Sequence, residues 1–240
     1  MNVFDEMGKY WAEIADQDQT QKQVEMVKKT IKPGGLVLDL ACGTGRHMTH
    51  LIEAGYAVVG LDISKRLLNI AKRRFKGADL VRADMRFLPF VTESFSAAIS
   101  MDTSFGYLAS QQDDVKSLKE VNSALRTGST LVVDVFNREN LIKKYETRHQ
   151  PKWKEYPSFF LLQKRSVTVG GEELHDEWII RDKSDGRIRV FRHVARLYEL
   201  SQLQTLVQTA GFAVIEIFGD YEKQKLLPDS DRLILVACST

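Results

Sequence analysis

An aspartate followed by two glycines carries the clearest chemical signal in this chain. Asp39 lies in the extended apolar run Val37–Leu40, and a turn of small residues with Gly43 and Gly45 comes directly after it. Helical spacing resumes at Arg46. Glycine tolerates positive φ and lets a ligand approach the backbone without a Cβ in the way. The run predicts a strand, a tight turn and a helix start, at the sheet edge where open α/β proteins bind ligands.

A second aspartate follows at the end of the next predicted strand. Asp62 comes after the apolar run Tyr56–Leu61, about 20 residues beyond the glycines, and Ser64 has the residue type of a helix N-cap. A carboxylate in this position can accept hydrogen bonds from both hydroxyls of a ribose. The two aspartates together predict a nucleoside site. A simple helix cap is the alternative role of Asp62.

The glycine turn differs from the dinucleotide-binding fingerprint, which needs a third glycine where this chain has Met48. A pyrophosphate cradle is therefore disfavoured, and so is a nicotinamide dehydrogenase. The eight residues Leu38–Gly45 instead resemble motif I of the class I S-adenosylmethionine-dependent methyltransferases, and Gly60–Ser64 resembles the second motif of that family, G-x-D-x-S. The alternative is an ordinary strand–turn–helix in an unrelated α/β protein.

The resemblance implies S-adenosylmethionine as the cofactor and S-adenosylhomocysteine as the product. It also implies that Asp84 accepts a hydrogen bond from the adenine amino group and that Met85 covers the adenine ring, as a thioether can. The remaining cofactor contacts that it implies are Asp39, Ala41, Cys42, Gly43, Gly45, Arg46, Asp62, Ile63 and Met101.

Two aromatic residues near the N-terminus are further candidates. Many small-molecule methyltransferases have a tyrosine-rich N-terminal helix that closes over the cofactor, and the pair Tyr10 and Trp11 resembles it. The correspondence is ambiguous by one residue between the two. Packing in a core is the alternative for both.

The loop after the fourth predicted strand is where we expect the acceptor to meet the methyl group. Asp102–Tyr107 includes Ser-Phe-Gly-Tyr, which resembles the loop of a bacterial subgroup acting on small molecules, including glycine and sugar amines. Phe105 and Tyr107 are therefore candidate acceptor contacts, with Tyr107 also a candidate catalytic residue; both could instead fill the core. The loop lacks the N-P-P-Y and D-P-P-Y patterns of enzymes that methylate bases or amides.

Three extended runs near the C-terminus interrupt the alternation of strands and helices. They cover 159–169, 172–181 and 187–197, and glycine-containing turns join them as hairpins. In the family that the chain resembles, such an insertion roofs the active site, which makes Trp178 and Tyr198 candidate acceptor contacts. His193 is a candidate general base, with a structural role as the alternative.

The fold class follows from the order of the elements. Strands and helices alternate, and the last two strands pair through a loop, which predicts a Rossmann-like, doubly wound seven-stranded sheet whose last strand is antiparallel. We expect one domain, 1–240, with an N-terminal helical lid at 1–32 and an inserted antiparallel β region on the substrate side at 138–200.

Composition narrows the partners. A net charge of +2 with 43% hydrophobic residues is typical of a soluble globular protein and argues against nucleic acid, and no apolar run is long enough to span a membrane. Two cysteines without metal spacing favour the reducing cytoplasm. We expect N- or O-methylation of a small molecule, with a tRNA methyltransferase and a non-catalytic cofactor-binding protein as alternatives. The oligomeric state is open, a homodimer included.

Overall fold

The computed structural model describes residues 3–15, 19–146 and 151–240. Parts of two predicted regions lie outside these residues: positions 1–2 and 16–18 of the lid, and 147–150 of the β insertion.

Seven helices lie in this part of the chain. They are α1 (Val3–Ala15), α2 (Thr20–Lys28), α3 (Arg46–Glu53), α4 (Lys65–Arg74), α5 (Gln111–Ala124), α6 (Arg138–Glu146) and α7 (Leu200–Thr209). The strands are β1 (Leu36–Leu40), β2 (Ala57–Asp62), β3 (Asp79–Arg82), β4 (Phe95–Ser100), β5 (Leu125–Phe136), β6 (Lys152–Glu155), β7 (Phe159–Val167), β8 (Glu173–Asp182), β9 (Ile188–Arg196), β10 (Phe212–Phe218) and β11 (Arg232–Ser239).

Seven of the strands form one twisted sheet in the order β10-β11-β5-β4-β1-β2-β3. β1 pairs in parallel with β2 and β4, whereas β11 is antiparallel to both β5 and β10. The predicted Rossmann-like sheet with an antiparallel last strand is therefore confirmed. Leu40 is level with Leu61 in this register, so β1 and β2 deliver their carboxyl ends to the same edge.

The central strands are buried on both faces, as near-continuous apolar runs predict. Ala97, Ala98 and Ile99 of β4 are fully buried, and one apolar cluster covers each face of the sheet. One cluster contains α5 and α7, and the other contains α2 and α3. This core holds the loops at the carboxyl edge on a rigid base.

The insertion is a second, antiparallel sheet in the order β6-β7-β8-β9. The expected hairpins are present, and β6 is a strand that the sequence did not predict. All four of its residues are exposed, so it lacks the apolar alternation by which half-buried strands are recognised. Alternation along β8 buries Trp178 and Ile180 against α1, where Met7 and Tyr10 complete a separate apolar cluster.

Two of these helices have specific local features, a capping box in α7 and a kink in α1. The cap of α7 is Glu199, which forms a capping box with Gln202, and Ser201 lies inside the helix. Helix α1 is kinked at Gly8, which has a φ of +35°. In the described part of the chain, no helix has both the length and the apolar character needed to cross a bilayer.

Candidate active site

The turn after β1 is built from residues in the left-handed region of backbone space. Ala41, Gly43 and Gly45 have φ values of 56°, 57° and 73°. Only glycine adopts this region without strain, so the backbone at Ala41 is strained. Strained residues cluster at functional sites, and Ala41 lines a cavity. The Gly43 amide donates to Asp62 Oδ2 at 2.8 Å, which fastens the turn to the end of β2.

Asp62 is the carboxylate around which this edge of the sheet is arranged. Its Oδ1 accepts from the Ser64 amide at 2.7 Å and its Oδ2 from the Gly43 amide. A carboxylate has about four lone-pair sites, so acceptor capacity remains for a ligand. Burial raises the pKa of Asp62, and hydrogen bonds from the backbone of Ser64, Gly43 and Ile63 oppose that shift.

A first cavity of about 410 Å³ opens over these residues. Its floor is the turn at Ala41 and Gly43 together with Asp62, and Met85 forms a side wall. Helix α1 covers it with Phe4 and Trp11, which pack edge to face at 5.2 Å.

Asp84 lines the same cavity but is already paired. The Arg86 guanidinium donates to it at 2.6 Å and 3.0 Å, and these hydrogen bonds lower the pKa of Asp84. Arg86 also reaches Asp113 at 3.3 Å. The carboxylate is therefore ionised and held in place, and it can accept a hydrogen bond from a ligand only next to the Arg86 guanidinium.

The loop after β4 is strained at two consecutive residues. Asp102 and Thr103 have φ values of 56° and 60°, although neither is glycine. Asp134 holds both of them, because its carboxylate accepts from the Asp102 amide at 2.9 Å and its backbone carbonyl from the Thr103 amide at 2.9 Å. Arg232 in turn donates to Asp134 at 2.7 Å and to the Thr103 hydroxyl at 3.1 Å.

A second cavity of about 640 Å³ lies on the other side of this loop, under the inserted sheet. Arg46 enters it from the start of α3 and donates to Asp102 at 2.6 Å. Aromatic rings line much of it: Trp11, Tyr107, Phe136, Tyr145, Tyr156, Trp178 and Tyr221.

The two cavities meet at a shared wall. Five of the described residues line both: Trp11, Asp102, Thr103, Tyr107 and His193. Trp11 stacks on Trp178 with ring centroids 5.5 Å apart. A ligand in the first cavity and a ligand in the second can therefore contact each other only along this wall, which we call the junction.

Comparison with known proteins places this geometry in a family. A family model described as a methyltransferase domain matches residues 37–128. A glycine/sarcosine N-methyltransferase of Parasynechococcus marenigrum is 31% identical over 201 residues, covering 80% of this chain and 68% of that protein. The chain belongs to the class I S-adenosylmethionine-dependent methyltransferases.

Solved structures of methyltransferases have the same fold. The CcbJ methyltransferase from Streptomyces caelestis is similar with a TM-score of 0.85 and 17% identity, over 99% of this chain and 98% of that one. The amino pentose methyltransferase CalS10 from Micromonospora echinaspora, solved with S-adenosylmethionine bound, has a TM-score of 0.70 and 16% identity, over 100% of this chain and 98% of that one.

The cofactor of this methyltransferase is S-adenosylmethionine, and the first cavity fits it. The backbone at Gly43 is bare toward the cavity, since the nearest atom to a Cβ built there is Trp11 Nε1 at 3.9 Å. Asp62 offers free acceptor sites for hydroxyl groups, and Met85 offers an apolar surface for a ring.

The structure brings together only some of the residues that the sequence nominated for the cofactor. Ala41, Gly43, Asp62, Ile63, Asp84, Met85 and Trp11 line the first cavity, while Arg46 lines the second. Asp39 and Cys42 are buried at the turn, and Gly45, also outside the lining, packs against Ala71. Met101 belongs to the core between the sheet and α2.

Three aromatic candidates point away from both cavities, which corrects their predicted roles. The Tyr10 hydroxyl donates to Asp182 Oδ2 at 2.7 Å, so Trp11 is the residue of the pair that lines the first cavity. Phe105 and Tyr198 pack on each other in the main core at 5.8 Å, and the Tyr198 hydroxyl donates to Asp114. Tyr107 and Trp178 do line the second cavity.

Sequence reasoning missed several residues that line the cavities, among them Phe4, Gln163 and Arg165. Phe4 lines the first cavity, and Gln163 and Arg165 line the second. Strand alternation is the signal that could have found the last two, because Gln163 is the register partner of Trp178.

Proposed function

We propose that this methyltransferase transfers a methyl group to the nitrogen of a small-molecule amine that also carries an acidic group. The observation that supports this most directly is the junction, where an acceptor in the second cavity can approach a cofactor in the first. The glycine/sarcosine relative and the structural likeness to an amino pentose methyltransferase agree with an amine acceptor.

In this proposal the first cavity orients the cofactor. Asp62 accepts from the ribose hydroxyls, Asp84 and Met85 contact the adenine, and the turn at Ala41 and Gly43 borders the methionine end. Helix α1 is the lid, and Trp11 separates the site from water. When bound, S-adenosylmethionine supplies an electrophilic methyl group, so the chain needs to align the acceptor and keep the site dry.

The charges in the second cavity favour an acidic group on the acceptor. Among the described residues, seven cationic and four acidic side chains line it, and the acidic ones are Asp102, Asp220, Glu222 and Asp231. The cationic ones are Lys22, Arg46, Lys144, Lys152, Lys154, Arg165 and Arg232. Arg165 lies beside Trp178 and His193, because it shares their face of the inserted sheet. Asp176 and Asp134, which lie outside the lining, pair with Arg165 and Arg232, so one positive charge remains in excess. A carboxylate or phosphate on the acceptor would pair with it.

An RNA substrate is less compatible with the rim of the second cavity. RNA binding needs a basic surface that follows the phosphate backbone. Among the described residues at this rim, Lys22 pairs with Glu222 and Lys144 with Asp231, so that charges of both signs alternate.

The test is methyl transfer from S-adenosylmethionine labelled in the methyl group to a panel of amines. The panel pairs amino acids and phosphorylated amino sugars with the same amines in which the acid is esterified or absent. We expect labelled product with the acidic amines and a KM at least about tenfold higher for the neutral partners. Equal methylation of the acidic amines and their neutral partners contradicts the proposal that the acceptor carries an acidic group. Cofactor binding without labelling of any amine contradicts the proposed function.

A further inference from the structure

His193 has an unused nitrogen at the junction. It lies in β9 with its side chain nearly buried, and its Nδ1 atom is buried without a hydrogen-bond partner. The rings of Phe4, Tyr107 and Trp178 surround it, with centroids 5.7, 6.0 and 5.4 Å away. A buried polar atom without a partner is costly, so an orphaned nitrogen between two ligand cavities points to a ligand that completes it.

A row of three side chains crosses the inserted sheet behind this histidine. Arg165 on β7 is the register partner of Asp176 on β8, and Asp176 is the register partner of His193 on β9. Asp176 is fully buried and accepts from Arg165 Nε at 2.6 Å, Gln163 Nε2 at 2.8 Å and Trp178 Nε1 at 2.7 Å. Its Oδ2 lies 3.7 Å from His193 Nε2. A pinned carboxylate thus stands behind the imidazole.

The other titratable groups of the junction are poor bases. Burial raises the pKa of Tyr107, so its phenol keeps its proton. Burial alone would raise the pKa of Asp102, but the charges of Arg46 and Arg232 outweigh it and hold that pKa below its usual value. Burial lowers the pKa of His193; Asp176 opposes that shift and Arg165 adds to it. His193 is therefore neutral near pH 7 and able to accept a proton.

We propose that His193 Nδ1 takes a proton from the ammonium form of the acceptor, with Asp176 as the positioning residue that stabilises the imidazolium. An N–H bond of the ammonium breaks, its electron pair stays on the acceptor nitrogen as the attacking lone pair, and the proton binds Nδ1. After product release the proton passes to water. The inference rests on the proposed amine acceptor.

The test compares His193→Gln with His175→Gln. His175 lies on the opposite face of the same sheet, pairs with Glu173 and is half exposed, so it controls for general effects of losing a histidine. At pH 7 we expect His193→Gln to lower kcat about 10²-fold or more with little change in acceptor KM. The loss should shrink toward pH 10, where amines are already deprotonated. A kcat within about threefold of the parent, or a loss that is the same at every pH, overturns the proposal.

Titration of the histidine imidazoles by NMR gives a readout that does not depend on turnover. With the five histidines assigned by substitution, we expect the His193 signal to titrate below the ordinary histidine pKa, and to fall further in Asp176→Asn because the opposing charge is lost. A His193 pKa that does not respond to Asp176→Asn overturns the role of the carboxylate. If the parent enzyme labels no amine, the proposed function is wrong. If the parent labels amines and His193→Gln is as active as the parent, only the inference about His193 is wrong.

Discussion

At the scale of single residues, the site depends on carboxylates that have different partners. Asp62 is fastened by two backbone amides and keeps acceptor capacity, Asp84 is neutralised by Arg86, and Asp102 by Arg46. Three acidic side chains at one sheet edge would repel one another and an anionic ligand end if they were unpaired. The arginines remove that repulsion and leave Asp62 as the carboxylate with unused acceptor sites, in line with its proposed ribose contact.

Asp62→Ala should weaken cofactor binding strongly. Hydrogen bonds to a charged acceptor contribute about 1.5–3 kcal/mol each, so losing two ribose contacts should raise the Kd for S-adenosylhomocysteine about 10²-fold or more. Isothermal titration measures it. Asp79→Ala, at the exposed start of β3, is the matched control and should bind like the parent. Unchanged affinity in Asp62→Ala would remove the residue from the cofactor site.

Asp39 makes a separate prediction about stability and pH. Burial raises its pKa to about 7, and its Oδ2 has no hydrogen-bond partner. A raised pKa means that the folded state favours the protonated form. The protonated carboxyl therefore adds to the free energy of unfolding below about pH 4, and this contribution is lost as the pH rises to about 7. Asp39→Asn does not ionise, so its Tm relative to the parent should be higher at pH 8 than at pH 5.

Thermal melts at the two pH values check this sign. Asp79→Asn, which changes an exposed carboxylate in the same way, should show no such difference. A Tm difference for Asp39→Asn that stays constant between pH 5 and pH 8 contradicts a buried carboxyl with a raised pKa.

At the scale of elements, α1 joins the two sheets. Asp5 accepts from the Ser64 hydroxyl at 2.8 Å and the Arg66 amide at 3.0 Å beside the main sheet. Glu13 accepts from the Ser158 amide at 3.0 Å and Tyr10 donates to Asp182, both on the inserted sheet. The helix therefore spans both cavities, and this supports its proposed role as a lid.

Trp11 should report cofactor binding by fluorescence. It lines the first cavity and stacks on Trp178, so a ligand there changes its surroundings. We expect S-adenosylhomocysteine to change the intrinsic emission of the parent and of Trp153→Phe, whose tryptophan is 70% exposed on β6. The change should be largely lost in Trp11→Phe. A full signal in Trp11→Phe would place the ligand away from α1.

The features that were predicted from the sequence are those that a short segment of the chain determines by itself. The turn at Gly43 and the acid at Asp62 were found because the chemistry of a short segment determines them. Choosing Trp11 over Tyr10 required the kink at Gly8, which rotates one part of α1 relative to the other. Phe105 and Tyr198 were misassigned because an aromatic residue has the same pattern in a core as in a pocket. The row behind His193 depends on cross-strand register, which hairpin loops decide.

At the scale of the whole molecule, we propose that the described chain unfolds as one unit. Apolar clusters connect α1 with the inserted sheet, and Arg196 ties that sheet to α5 through Asp114 at 2.6 Å. A saturating ligand should therefore stabilise both sheets together. At 100 times its Kd, S-adenosylhomocysteine should add about 2.7 kcal/mol, or a Tm increase of about 5–11 °C.

Differential scanning calorimetry tests this prediction. One transition that moves upward with ligand is expected. Two transitions, of which only one responds, would mean that the inserted sheet is an independent folding unit.

Residues 152–196 contribute eight described residues to the lining of the second cavity and two to that of the first, and this has a consequence for how the enzyme can change. In the proposed function, parallel strands and their turns hold the cofactor, whereas hairpin strands border the acceptor. Laboratory selection for new acceptors should therefore accumulate substitutions within 152–196 and leave 38–62 intact. Substitutions can therefore change the range of acceptors of this protein while the methyl donor stays the same.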